Sequence, residues 1–438
     1  MKTYRVFFLA FILTALVSST RAASLTFPEP NDLPVQTNLP DVMTMADGTR
    51  VTTPAQWQAR REEMKEILEH YELGHAPPPP GNVKGKDLQS HDYLDGTVHY
   101  RLVHLSFGPH HALGMDIAIF TPIIKMTNTA IYMRVASPSF PTIINPSFFM
   151  TPGVNFTNGA APRVSASTNR MSLLRLFSMP MDPARAAMMY SNQLSRGYAL
   201  VTYRYTQCGE DNPNYRTNTF YPAYPGYDWG VLLGWAWGLS RVVDYLETQP
   251  FVDKDKIIAL GHSRLGKLTM VATAFDDRIS LGAPAGSSGA GTGAYRFCGP
   301  GRGGKEGIED MVRKYGYYFV PELKGFTNQI YKLPFDAHWF VALTAPRPWI
   351  SVEGTEDQNC VANAVKQTVM AAKPVYVFLG VSPDRVGVSY EKHRHGLTPE
   401  DWNDAMDFAD QQLRGIDHHR TFDQFPPDEV STNSTASK

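Results

Sequence analysis

The chain has 438 residues, with 41 Lys plus Arg against 42 Asp plus Glu and a formal net charge of −1, so it lacks the basic footprint of a nucleic-acid or anionic-membrane binder. Apolar residues make up 43% and charged residues 19%, which supplies a sizeable core and excludes wholesale disorder. Three Cys exclude a disulfide scaffold, and the absence of C-x-x-C and H-E-x-x-H patterns removes the usual zinc signatures.

Lys2 and Arg5 precede an apolar run from Val6 to Val17 that is too short to span a bilayer comfortably. Small residues at Thr20 and Ala22 follow, as a leader cleavage site requires. A signal peptide over residues 1–22 is therefore expected, with export to the periplasm or the extracellular space. No later stretch reaches about 18 apolar residues without a charge, so the mature protein is expected to be soluble and off the membrane. Asn155-Phe156-Thr157 and Asn433-Ser434-Thr435 fit glycosylation sequons. In an oxidising compartment Cys208, Cys298 and Cys360 allow one disulfide and one thiol.

Thr53-Pro54-Ala55-Gln56 reads as a capped helix start, and the helix runs to about Tyr71. Ala76 to Gly81, with four prolines, ends it in a stiff linker. Strands are expected near His99–Phe107, Met115–Thr121 and Ala130–Val135. Residues 137–170 are rich in Ser, Pro, Asn and Thr and read as part of a long inserted loop near 137–190. Tyr198–Tyr203 is a buried-strand run, Gly230–Glu247 a long apolar helix, and Ile257–Leu260 a short parallel-sheet strand. A helix is expected from Lys267 to about Phe275, with strands at Pro348–Glu353 and Pro374–Leu379. A last helix spans Pro399–Leu413, capped by Thr398 and stopped by Gly415. The alternation implies an α/β fold: an open, mostly parallel sheet covered by helices on both faces. One catalytic domain over 23–425 is expected, with a polar, disordered tail at 426–438.

Gly261-His262-Ser263-Arg264-Leu265-Gly266-Lys267 follows a strand and opens a helix. That is the setting of a nucleophile elbow, although the second Gly stands one residue later than in G-x-S-x-G. The turn would lift the Ser263 oxygen above the strand ends, where helix N–H groups await an oxyanion. A helix N-cap serine would look the same locally.

A serine needs a base, and the base needs an orienting acid. In this fold class they follow in the order Ser, acid, His. His395 lies in a loop before the final helix and is preferred to His393 because Gly396 lets its loop turn sharply. Asp357 or Glu356, after the strand ending at Glu353, would supply the acid, and Asp357 fits the usual spacing better. The adjacent pairs His110-His111 and His418-His419 cannot readily close on one metal, so neither a metal nor a cofactor is expected.

The elbow resembles the nucleophile motif of bacterial-type glucuronoyl esterases, carbohydrate esterase family 15. The resemblance extends over most of the mature chain. It includes Asp47-Gly48-Thr49, Arg196-Gly197-Tyr198-Ala199, Trp235-Ala236-Trp237-Gly238, the segment from Leu333 to His338, Ala345-Pro346-Arg347-Pro348, and the run from His395 to Trp402. It implies an α/β-hydrolase fold, a three-layer α/β/α sandwich. It also implies cleavage of esters between 4-O-methyl-glucuronic acid on xylan and lignin alcohols. By position, Ser263 is then the nucleophile, His395 the base and Arg264 the oxyanion residue. Lys267 and Glu306 would contact sugar hydroxyls, and His338 would stand near the site as a structural or substrate-side residue rather than a base. A monomer acting on a polysaccharide ester is expected. Acetylxylan esterase activity, or a carbohydrate-binding protein on an inactive hydrolase fold, would fit the same motifs.

Two departures stand out. Some members carry the triad acid as Glu in the loop that here reads Ala283 to Gly289, which has no carboxylate. This favours Asp357 or Glu356. Tyr318 stands where the family often has a Trp that packs on the uronic acid ring.

Overall fold

Thr53 and Thr398 each accept the backbone N–H three residues on, and Gln56 and Asp401 return the bond to the cap. Each such cap stabilises its helix by about 1 kcal/mol. They begin the first and last of eight helices used below: α1 (Pro54–Leu68), α2 (Pro183–Met189), α3 (Val231–Leu246), α4 (Arg264–Phe275), α5 (Ile308–Tyr315), α6 (His338–Thr344), α7 (Ala362–Phe378) and α8 (Pro399–Ala409). The computed structural model describes residues 25–124, 139–149, 151–154, 181–299 and 301–427. The leader, the strand expected at 130–135, both sequons and most of the tail lie outside the described residues.

The strands are β1 (Lys84–Tyr93), β2 (Val98–Phe107), β3 (Leu113–Pro122), β4 (Phe140–Ser147), β5 (Ala199–Arg204), β6 (Val252–His262), β7 (Leu281–Ala285), β8 (Trp349–Gly354) and β9 (Val386–Glu391). They form one nine-stranded sheet in the order β1-β2-β3-β5-β4-β6-β7-β8-β9. The pairs from β1 to β5 are antiparallel, and all pairs from β5 onward are parallel. This is the α/β-hydrolase arrangement with an additional antiparallel edge strand. Alternation along the strands splits the core. Ile143, Leu200 and Ile258 pack on one face with the helix residues Ala186, Ala187, Ala405 and Met406. Ile144, Val201 and Ala259 pack on the other with α1, α3, α4 and α7. The sheet thus lies between two helical layers.

Two expected elements are corrected. Phe140–Ser147, placed in a loop, is a central strand paired on both sides. Pro141 sits at a register irregularity against β6, so its missing N–H is accommodated. Pro374–Leu379, expected as a strand, lies mostly inside α7. Ala364, Val365, Thr368, Val369, Ala372, Val375 and Tyr376 are buried at helical spacing. Pro374 falls on the exposed face, where water can serve the carbonyl it leaves unpaired. The last strand is β9 instead.

Candidate active site

Ser263 sits between β6 and α4 with φ +60° and ψ −125°. A non-glycine residue there is strained and must be held by its surroundings. Its N–H donates to the Ala285 carbonyl at 2.9 Å, and its own carbonyl accepts the Ser287 hydroxyl at 2.8 Å. A Cβ on Gly261 would lie 2.3 Å from the Leu265 oxygen, and one on Gly266 would lie 2.5 Å from Ser287 Oγ. Both glycines are therefore required by close approach of the chain.

Two loops bring the partners. Thr355 N–H bonds the Glu391 carbonyl at 2.8 Å and Glu356 N–H bonds the His393 carbonyl at 3.0 Å, which ties the loop after β8 to the loop after β9. The result is a chain of contacts: Ser263 Oγ to His395 Nε2 at 3.0 Å, and His395 Nδ1 to Asp357 Oδ2 at 2.7 Å. The Asp357 side chain is 1% exposed and that of His395 is 34% exposed. Burial raises the Asp357 pKa, but the bonds from His395 and from Asn359 N–H more than offset it and hold the carboxyl below the usual range.

The rival residues are engaged elsewhere. Glu356 is half exposed and faces Lys392 at 4.0 Å. His393 places one ring nitrogen 2.6 Å from the Arg394 carbonyl and the other 3.1 Å from Asp401.

Arg264 opens α4 beside the nucleophile. Its guanidinium pairs with Asp211 and lies 5.9 and 5.5 Å from the ring centres of Phe148 and Tyr315. Burial lowers its pKa, and the oxygens of Tyr318 and Asp211 more than reverse this. Asp211 was not legible as a site residue, because it reaches Arg264 from a loop 53 residues away.

The expected sugar contacts are only partly brought together. Lys267 is 3% exposed and turned inward. Its ammonium binds the Ser287 carbonyl, the Gly289 carbonyl at 2.7 Å and Glu306 Oε2 at 3.0 Å. It holds the loop after β7, and Glu306 is the member of the pair that keeps some exposure. Tyr318 is 1% exposed, so it offers no ring face to a sugar; its hydroxyl bonds Asp211 at 3.1 Å. The half-buried rings beside it are Tyr315 and Tyr317. His338 is also 1% exposed, and its Nε2 lies 2.8 Å from the Pro40 carbonyl. It anchors the N-terminal segment to α6 and offers nothing to substrate.

His262, one residue before the nucleophile, was also missed. Its ring centre lies 4.6 Å from that of His395. Burial, then the neighbouring His395, holds its pKa down to about 3, so it stays neutral while His395 changes charge. Glu353 is fully buried at the end of β8 and accepts Thr292 and Ser351 hydroxyls at 2.8 and 2.5 Å. The three Cys are buried free thiols, so no disulfide forms among them. His418 does gather with Asp407 and Asp410. Arg196, Arg414 and Arg420 pair with the same two carboxylates, which makes the cluster an ion-pair network.

The sequence model of the family described as "Glucuronyl esterase, fungi" matches residues 165–380. The chain is 27% identical to carbohydrate esterase MZ0003 of an unknown prokaryotic organism, covering 86% of this chain and 90% of that one. It is also 27% identical to a 4-O-methyl-glucuronoyl methylesterase of Phanerochaete carnosa, over 94% of this chain and 92% of the relative. A promiscuous esterase of carbohydrate esterase family 15 from a marine bacterial metagenome superposes with a TM-score of 0.71 at 25% identity, covering 88% of this chain and 99% of the other.

Proposed function

We propose that the chain is a glucuronoyl esterase of carbohydrate esterase family 15, in which Ser263, His395 and Asp357 hydrolyse the ester between a 4-O-methyl-glucuronic acid and an alcohol. Ser263 Oγ attacks the ester carbonyl carbon while His395 Nε2 takes its proton. Asp357 keeps the proton on His395 Nδ1 and supports the imidazolium that forms. The carbonyl oxygen becomes an oxyanion facing the Arg264 guanidinium and the free N–H groups of the first turn of α4. The tetrahedral intermediate collapses, the C–O bond breaks, and His395 returns the proton to the leaving alcohol. Water then repeats the sequence on the acyl-enzyme and frees Ser263 and the uronic acid.

The contact chain at 3.0 and 2.7 Å, set at the carboxyl ends of the strands beside Arg264, carries this reading. For the sugar, Glu306 supplies an acceptor for hydroxyls, and Tyr315 and Tyr317 supply the aromatic surface that Tyr318 cannot. In the cell the enzyme acts outside the cytoplasm on glucuronoxylan–lignin esters, after removal of the leader at 1–22, as a single catalytic domain. No helix among the described residues is long and apolar enough to cross a membrane.

The test is hydrolysis of benzyl D-glucuronate and its 4-O-methyl analogue, with an acetylated xylo-oligosaccharide as comparator. Turnover of the uronate esters by wild type and its loss in Ser263→Ala is expected. A preference for the acetyl ester would overturn the substrate. Failure of a fluorophosphonate probe to label folded protein would overturn the esterase.

A further inference from the structure

Four donor groups converge on one carboxylate beside the triad. Asp211 lies in the loop after β5, and its side chain is 11% exposed. Its Oδ2 accepts the Tyr205 hydroxyl at 2.6 Å and the Arg264 guanidinium. Its Oδ1 accepts the Tyr317 hydroxyl at 2.8 Å and the Tyr318 hydroxyl at 3.1 Å. An ionised carboxylate has about four lone-pair sites, and four donors occupy them here.

That occupancy argues against proton transfer by Asp211, because a general acid or base needs a free oxygen facing substrate. Its contact with the site runs through Arg264. An Arg side chain carries about 2 kcal/mol of rotamer entropy, and a fork that must meet an oxyanion gains from having that freedom removed beforehand. Asp211 holds the guanidinium through Nη1 alone. Of the five N–H donors of the fork, most remain for another partner. The rings of Phe148 and Tyr315 bound the group on further sides.

We infer that Asp211 is the positioning residue of Arg264: it fixes the guanidinium where the oxyanion forms and ties it, through the Tyr317 and Tyr318 hydroxyls, to the aromatic wall of the site. This rests on the esterase reading above. Aspartate at this point does for the oxyanion arginine what Asp357 does for the base.

A double-mutant cycle tests it. Asp211→Asn keeps the shape of the side chain and removes its charge. In the wild-type background it is expected to lower kcat on benzyl D-glucuronate by about ten- to a hundredfold with KM little changed, as for loss of a group that acts in the transition state. In an Arg264→Ala background the same change is expected to cost under about twofold, because two residues acting through one contact are not additive. Tyr205→Phe, which leaves the charge and frees one lone pair, is expected to show a smaller loss with the same dependence on Arg264. It serves if Asp211→Asn melts early. Equal losses in both backgrounds, a change confined to KM, or an unchanged kcat would each overturn the inference. If wild type does not turn over the uronate ester, the substrate reading falls. The cycle is then read in the rate of fluorophosphonate labelling at Ser263, where the same two patterns decide for or against Asp211.

Discussion

The described residues contain a second Ser–His–Asp chain, built on different support from the first. On the edge hairpin of β1 and β2, Ser90 Oγ lies 3.4 Å from His99 Nε2, and His99 Nδ1 lies 2.6 Å from Asp92. The two histidines are nearly equally exposed, at 36% for His99 and 34% for His395. The acids differ: the Asp92 side chain is 56% exposed and that of Asp357 1%. Water screens the outer pair, which leaves it little power to stabilise an imidazolium. The serines differ more. Ser90 lies within an edge strand, whereas Ser263 sits at positive φ at the start of a helix with Arg264 next to it. A proton path alone is common on surfaces. A buried acid and a prepared oxyanion site are not.

The sharpest way to break this contrast is to remove both serines in turn. Ser263→Ala is expected to lower kcat on benzyl D-glucuronate by several orders of magnitude, while Ser90→Ala leaves it unchanged. Loss of activity in Ser90→Ala at unchanged melting temperature would end the comparison. The acids give the next largest effect. Asp357→Asn is expected to cost about a thousand- to ten-thousandfold in kcat, since the imidazole loses its tautomer and its counter-charge. Asp92→Asn and Glu356→Gln are expected to stay within about twofold, as exposed carboxylates away from the reacting atoms do. A Glu356→Gln loss comparable with that of Asp357→Asn would show that the two acids trade places in solution.

The sequence carried more of the inner chain than of its support. Gly261-His262-Ser263 after a strand and before a helix, with a histidine downstream, was enough to single out Ser263 and His395, while the acid stayed open between Asp357 and Glu356. The capping boxes at Thr53 and Thr398 were readable because they depend on residues three apart. β4 and α7 were hidden by proline. Pro141 and Pro146 mask a central strand, and Pro374 masks a helix whose period is otherwise plain. Side-chain direction was hidden altogether. Tyr318, His338 and Lys267 share motifs with the site but turn into the interior, and burial of that kind is a property of the packed sheet rather than of the segment. Asp211 was invisible for the same reason, since only folding brings its loop against Arg264.

The same burial that makes Asp357 effective also encloses Glu353, four residues earlier, and this gives the smallest and last test. Burial lifts the Glu353 carboxyl from the ordinary 4.5 to about 7, against the bonds from Ser351, Cys360 and Thr292. The folded protein then keeps a proton that the unfolded chain releases. Stability contributed by that proton is present below about pH 4.5 and is lost as pH climbs to about 7, with no further change above. Glu72, lifted by burial to about 8, acts in the same direction. His262, held down to about 3, acts in the opposite one, gaining stability for the fold as pH rises towards 6.5. The absolute slope for wild type mixes these with other shifted groups, such as His338, held down by burial to about 4, and a difference isolates one. Glu353→Gln removes the titration and keeps the shape, so its melting temperature relative to wild type is expected to rise between pH 5 and pH 7.5. At 1.36 kcal/mol per pKa unit the change is of order 3 kcal/mol at most, a few degrees by scanning calorimetry. The lost acceptor strength towards Ser351 and Thr292 shifts the whole curve by a constant and leaves this difference intact. A gap that stays level across the range would mean that Glu353 is already ionised in the fold, and that the interior beside Asp357 is wetter than its geometry implies.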